Sequence, residues 1–80
     1  IKLVYTLVGL ADAYGDVKGD AIEIFNIPEA DLAAIADIPL PDVPKIIDKL
    51  TKRNWLTIDT HQNVIRLLDM KSLRHLSKLG

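Results

Sequence analysis

Eighty residues with 49% hydrophobic, 26% charged and 5% aromatic side chains describe one small globular domain or a piece of a larger protein. The chain has no cysteine, which excludes a disulfide scaffold and thiolate metal sites. No apolar stretch approaches the roughly 18 residues of a membrane helix, and a soluble, cytoplasmic protein without a membrane partner is expected. The net charge is −1, but it is unevenly spread. Residues 1–40 set Lys2 and Lys18 against seven carboxylates, a balance of −5, whereas residues 41–80 set eight Lys and Arg against four carboxylates, a balance of +4. Any anion-binding surface is expected in the second half.

Leu3, Val4, Leu7, Val8, Leu10, Ala11 and Tyr14 recur at helical spacing and predict a first helix to about Tyr14. Gly15 to Asp20 read as a turn-rich connection, and Ala21 to Phe25 as a small strand or extended arm. Pro28 suits a helix start, with Glu29 and Asp31 in the first turn, so a second helix is expected over 28–36 with Leu32, Ile35 and Ala36 on its apolar face. The run Asp37 to Pro41 ends it. Val43, Ile46, Ile47 and Leu50 then repeat at i, i+3, i+4 and i+7 and predict a third helix over 41–53. Its opposite face holds Lys45, Asp48, Lys49, Lys52 and Arg53. Pro44 is tolerated only near the start, which places that start between Pro39 and Asp42.

Residues 55–59 and 64–68 flank Thr60-His61-Gln62-Asn63 and read as a β-hairpin. Asp69 is a helix cap for a last helix carrying Leu73, Leu76 and Leu79 among Lys71, Arg74 and Lys78. The order is helix, arm, helix-turn-helix, two-stranded wing, C-terminal helix. This mainly α chain with a small β-hairpin is a winged helix-turn-helix, in which the second helix of the pair addresses the major groove.

The stretches Asp31-Leu32-Ala33-Ala34-Ile35-Ala36, Val43-Pro44-Lys45-Ile46-Ile47 with Leu50, Asn54-Trp55-Leu56, and residues 65–69 followed by Leu73 and Leu76 carry a family resemblance. In them the chain resembles the C-terminal domain of the Crp/Fnr (catabolite activator and fumarate-nitrate regulator) family of bacterial transcription regulators. The resemblance implies a DNA-binding output domain over 1–80, excised from a longer regulator with an N-terminal sensor domain. It also implies double-stranded DNA as partner, a homodimer formed through segments upstream of Ile1, and no cofactor in this domain. The family's turn glycine and the Ser or Thr cap, Arg, Glu and Thr that open its recognition helix are replaced here, where Asp37, Pro39, Leu40, Pro41 and Asp42 stand. Lys45 keeps the charge of an arginine that reads guanine.

The residues expected to meet DNA are therefore Lys45, Lys49, Lys52 and Arg53 on the third helix, with His61, Gln62 and Arg66 on the wing. Trp55 reads as packing rather than base stacking. His75 has no second ligand at zinc spacing, so no metal site is expected. No phosphate loop or nucleophile with a positioned base occurs, and an enzyme is not expected. The rival reading is a degenerate winged helix, stripped of base-reading groups, that serves as a dimerisation or protein-docking module. Pro39, Leu40, Pro41 and Pro44 motivate it, because such a turn carries little charge to desolvate.

Overall fold

A computed structural model describes residues 2–79. The elements in chain order are α1 (Lys2–Tyr14), β1 (Asp16–Lys18), β2 (Ala21–Phe25), α2 (Glu29–Ala36), α3 (Asp42–Lys52), β3 (Leu56–Asp59), β4 (Val64–Leu67) and α4 (Met70–Ser77). Helix α1 is apolar on most of its surface because it lies at the centre, against α2, α4 and β2. Leu3, Val4, Leu7, Val8 and Ala11 are buried, while Tyr14, expected on the same face, stands in solvent at the last turn.

The strands extend the sequence reading. Ala21–Phe25, expected as a small strand or an extended arm, is a strand, and with β1 and the two strands of the wing it forms a four-stranded antiparallel sheet in the order β1-β2-β4-β3. Ile24 pairs with Ile65 and Ile22 with Leu67 across β2 and β4, and Leu56 pairs with Leu67 across β3 and β4. The inward side chains of these pairs join the core beneath α1. The supposed turn at 15–20 contains β1, which is linked to β2 by a tight turn with Gly19 at φ 63°.

On the sheet's outer face, Glu23 and Arg66 are cross-strand partners, and Arg66 draws in Asp59 as well. Arg66 Nε donates to Glu23 Oε2 at 2.8 Å and Arg66 Nη2 lies 3.4 Å from Asp59 Oδ2. Glu23 and then Asp59 raise the guanidinium's pKa above its ordinary value.

Helix α2 buries Leu32, Ala33 and Ala36, and Ile35, expected inward, is 58% exposed. The run 33–36 is apolar on all sides, so periodicity could not choose its inner face. The helix ends at Asp37, whose φ of 57° and ψ of 52° are left-handed, a conformation that glycine usually supplies at a helix end. In α3, Val43 and Leu50 are buried and Ile46 and Ile47 half-buried, and Pro44 falls in the first turn as its missing N–H requires.

Asp69 caps α4, its Oδ1 accepting from Ser72 N at 3.0 Å and its Oδ2 from the Ser72 hydroxyl at 2.8 Å. Leu73 is fully buried, while Leu79 lies past the helix and is exposed. Asp12 of α1 forms a two-pronged ion pair with Arg74 of α4, with Nη1 to Oδ2 at 3.0 Å.

Three carboxyls are held below their ordinary value of 3.8: Asp12 by Arg74, Asp59 by the Gln62 and His61 N–H groups and Arg66, and Asp69 by the Ser72 N–H and hydroxyl. A depressed folded pKa contributes stability above the unfolded value and loses it as pH falls through the folded one. Thermal unfolding of the chain is thus expected to be insensitive to these groups at neutral pH and to weaken below about pH 4. Asp69→Asn, which keeps a capping oxygen but does not titrate, is expected to flatten that acid slope.

A second prediction concerns two glycines of α1 and its exit. A Cβ on Gly15 would lie 2.3 Å from the Ala11 carbonyl oxygen and 2.4 Å from Ile22 Cγ2, whereas one on Gly9 meets nothing within 4 Å. In chemical denaturation Gly15→Ala is expected to cost about 1–3 kcal/mol through forced displacement of the helix from β2. Gly9→Ala is expected to gain about 0.5–1 kcal/mol from the stiffer helix.

Candidate nucleic-acid interface

Helix α3 presents opposite chemistries on opposite sides. At about 100° per residue, Lys45, Lys49 and Lys52 fall within about 60° of arc, each about 100° or more round the helix from Val43 and Leu50. All three lysines are exposed. Lys52 shares its charge with Asp48 one turn earlier at 3.0 Å, an exposed pair of little energetic weight. Among the described residues, Lys45 and Lys49 have no carboxylate partner. This is the side that a helix docked on its apolar seam turns to a partner.

Arg53 closes the helix, and its guanidinium carbon sits 5.2 Å from the centroid of the Trp55 ring. Trp55 is half-buried against the core as expected, and it also carries that cation. Its backbone N–H donates to the Leu50 carbonyl at 3.1 Å, and its carbonyl accepts from Leu68 N at 2.8 Å and Asp69 N at 3.2 Å. Thus the end of α3 and the start of α4 are fixed to the same residue.

The wing contributes differently from the expectation. His61 and Gln62 stand exposed at the tip, their backbone N–H groups donating to Asp59 Oδ1 at 3.0 and 3.1 Å. Their side chains extend from a defined turn. Arg66 does not stand with them: its side chain is only 27% exposed and is held by Glu23 and Asp59, so it is a cross-link of the sheet rather than a surface cation. The missed partner is Glu23, separated from Arg66 by 43 positions in sequence.

The start of α3 has unusual chemistry for a helix entering a groove. A helix N-terminus ordinarily offers unpaired N–H groups to an anion. Here Pro41 and Pro44 have no N–H, and those of Asp42 and Val43 donate to the Pro39 and Leu40 carbonyls at 3.0 and 3.1 Å. Asp42 adds a negative charge at the same end. Ile35 and Leu40, 58% and 48% exposed, leave an apolar turn beside it. Hence the cationic part of α3 is its middle and end.

No protein-family model and no curated protein sequence matches the chain. Solved structures do. Oxidized CprK in complex with o-chlorophenolacetic acid superposes with a TM-score of 0.85 at 22% identity, over 96% of this chain and 32% of that one. A CRP/FNR-family transcriptional regulator from Thermus thermophilus gives 0.80 at 20% identity, over 96% and 39%. The CO-dependent transcription factor CooA from Carboxydothermus hydrogenoformans, in its imidazole-bound form, gives 0.81 at 19% identity, over 95% and 36%. The chain therefore spans about a third of the length of these structures. The second of these is a transcriptional regulator and the third a transcription factor, and among the described residues of this chain no helix is long and apolar enough to cross a membrane. TM-scores of 0.80–0.85 over 95–96% of its length give this chain the fold it shares with these structures, a winged helix-turn-helix like that of the Crp/Fnr-family regulator.

Proposed function

We propose that the chain is the DNA-binding output domain of a Crp/Fnr-type transcription regulator, with α3 laid in the major groove. The observation that carries this reading is the unpaired, outward Lys45 and Lys49 on the second helix of the pair, opposite a buried seam. Lys52, Arg53, His61 and Gln62 extend the contact, and Arg66 supports the wing from within the sheet. Because the opening turn of α3 lacks both unpaired amides and polar side chains at Leu40 and Pro41, affinity comes mainly from phosphate neutralisation, with base reading confined to Lys45 and Lys49. On this reading the sensor lies in another part of a longer, cytoplasmic regulator that pairs as a homodimer, and this domain holds no cofactor. Its two α3 helices then address half-sites one helical turn apart.

The test is fluorescence anisotropy of a labelled random duplex at several salt concentrations. Lys45→Gln with Lys49→Gln is expected to lower the slope of log K against log salt by about 0.9 for each phosphate no longer neutralised. Wild-type binding that is absent at low salt, or a slope unmoved by the double substitution, rejects the reading.

A second reading, protein docking or dimerisation through the turn, is favoured by the exposure of Ile35 and Leu40 beside Pro39 and Pro41. It predicts self-association in sedimentation velocity that Leu40→Lys abolishes. A monomer at all concentrations removes dimerisation, and a pull-down that returns no stable partner removes docking.

A further inference from the structure

The cations of this chain fall into engaged and unengaged sets. Among the described residues, Lys2, Lys18, Lys52, Arg66 and Arg74 each lie within 4.0 Å of a carboxylate, whereas Lys45, Lys49, Arg53, Lys71 and Lys78 do not. The first three of the unengaged set belong to the α3 surface. Lys71 and Lys78 belong to α4 and its cap, where they stand with His75 at i, i+4 and i+7. That spacing repeats the one on α3. At about 100° per residue the three fall within about 60° of arc, opposite the buried Leu73. All three are exposed.

A groove runs along this side of α4, with Trp55 as its other wall, Lys71, His75, Leu76 and Lys78 along the helix, and Asp69 also in its lining. Nothing acidic on α4 opposes them, since the helix contains no Asp or Glu. Asp69, the one carboxylate in the groove's lining, keeps its charge while accepting from the Ser72 N–H and hydroxyl, and Asp12 is engaged by Arg74. Arg53 over the Trp55 ring carries the positive surface from the end of α3 to the lip of this groove. The backbone of Trp55 is bonded on one side to Leu50 and on the other to Leu68 and Asp69, so the junction is rigid. The basic surface therefore continues from α3 onto α4, whereas the route toward the wing is interrupted by the internal pairing of Arg66.

We propose that the groove between Trp55 and α4 is a second contact for the phosphodiester backbone of duplex DNA, flanking the stretch occupied by α3. Charge complementarity selects the occupant. Lys71 and Lys78, flanking His75, outnumber the single carboxylate of Asp69 in this groove, which suits a polyanion, and each ammonium meets a phosphate as a point charge without demanding a fixed fork geometry. The row from Lys71 to Lys78 is about 10 Å long, the rise of about three base pairs. The partner is taken from the proposed function, but the groove's residues are independent of those on α3, so the two ideas fail separately.

The chain has a single tryptophan, which lines this groove and also carries Arg53 from the end of α3, so indole emission reports their junction and the α4 substitutions isolate the groove. A random duplex is titrated at low salt while the emission of Trp55 and the anisotropy of a labelled duplex are followed together. Emission is expected to change with the same midpoint as anisotropy. Lys71→Gln with Lys78→Gln is expected to weaken binding several-fold and to lower the salt slope by about 0.9 for each phosphate left without its ammonium, with unchanged circular dichroism. Rising anisotropy with static emission, or a wild-type slope in the α4 double variant, overturns the groove and leaves α3 standing. A weakened α4 variant beside an unaffected Lys45→Gln, Lys49→Gln variant does the reverse. An emission change produced by polyglutamate at equal charge but not by duplex overturns the assignment in favour of an acidic protein segment. Absence of any duplex binding overturns both.

Discussion

Strand β4 is bonded along both edges, to β2 on one side and β3 on the other, and the remaining elements take their places from that seat. Ile65 and Leu67 project from it into the core at 0% exposure and meet the helical layer built around α1. Between them Arg66 points to the opposite face, where it bridges a carboxylate on each flanking strand. Beyond Leu67 the chain turns back to the Trp55 carbonyl before entering α4, so the strand pairing also sets where α4 begins relative to the end of α3. A winged helix that lost this central pairing would keep its hydrophobic helices but not the spacing between its basic surfaces.

The same pairing determines which charges remain for a partner. Ion pairs within the sheet and between α1 and α4 engage Arg66 and Arg74, and exposed pairs at 3.0 to 3.9 Å accompany Lys2, Lys18 and Lys52. Exposed pairs of this kind weaken readily with salt or when a phosphate competes, whereas Arg66 has two partly covered partners and a geometry set by strand register. The protein's basic half is thus divided by structure: one part holds the sheet together, and the other lies along the outward sides of α3 and α4. At α3 the prolines sharpen this division, since they fix the turn while removing the amides that helix starts usually present.

Local patterns conveyed much of this in advance. The four-residue apolar repeat of α3, the polar tetrapeptide between β3 and β4, and the aspartate before α4 each encode their structure within a few positions, and they were legible. What was missed depends on residues distant in sequence. Asp16-Val17-Lys18 forms a strand only because β2 supplies an edge, and its exposed, mixed side chains show no alternation. Arg66 resembles any basic wing residue until Glu23 is brought beside it. Ile35 faces outward and Ala33 inward, a choice that five consecutive apolar residues from Leu32 to Ala36 leave open in the sequence. The α4 row had the same visible spacing as the α3 row, but its lysines also satisfy the usual preference of a helix C-terminus for positive charge, which hid their lack of partners.

The order of the strands also determines what the sheet shows to other copies of the chain in a crowded solution. Its two borders are β1, three residues long with Asp and Lys at its ends, and β3, four residues long and closed by an aspartate. The longer apolar segment of β2 and all of β4 lie inside, with their backbone groups already matched. Such brief, charged margins offer a poor template for edge-to-edge growth into fibrils. A chain this rich in aliphatic residues can therefore accumulate without its sheet seeding intermolecular strands.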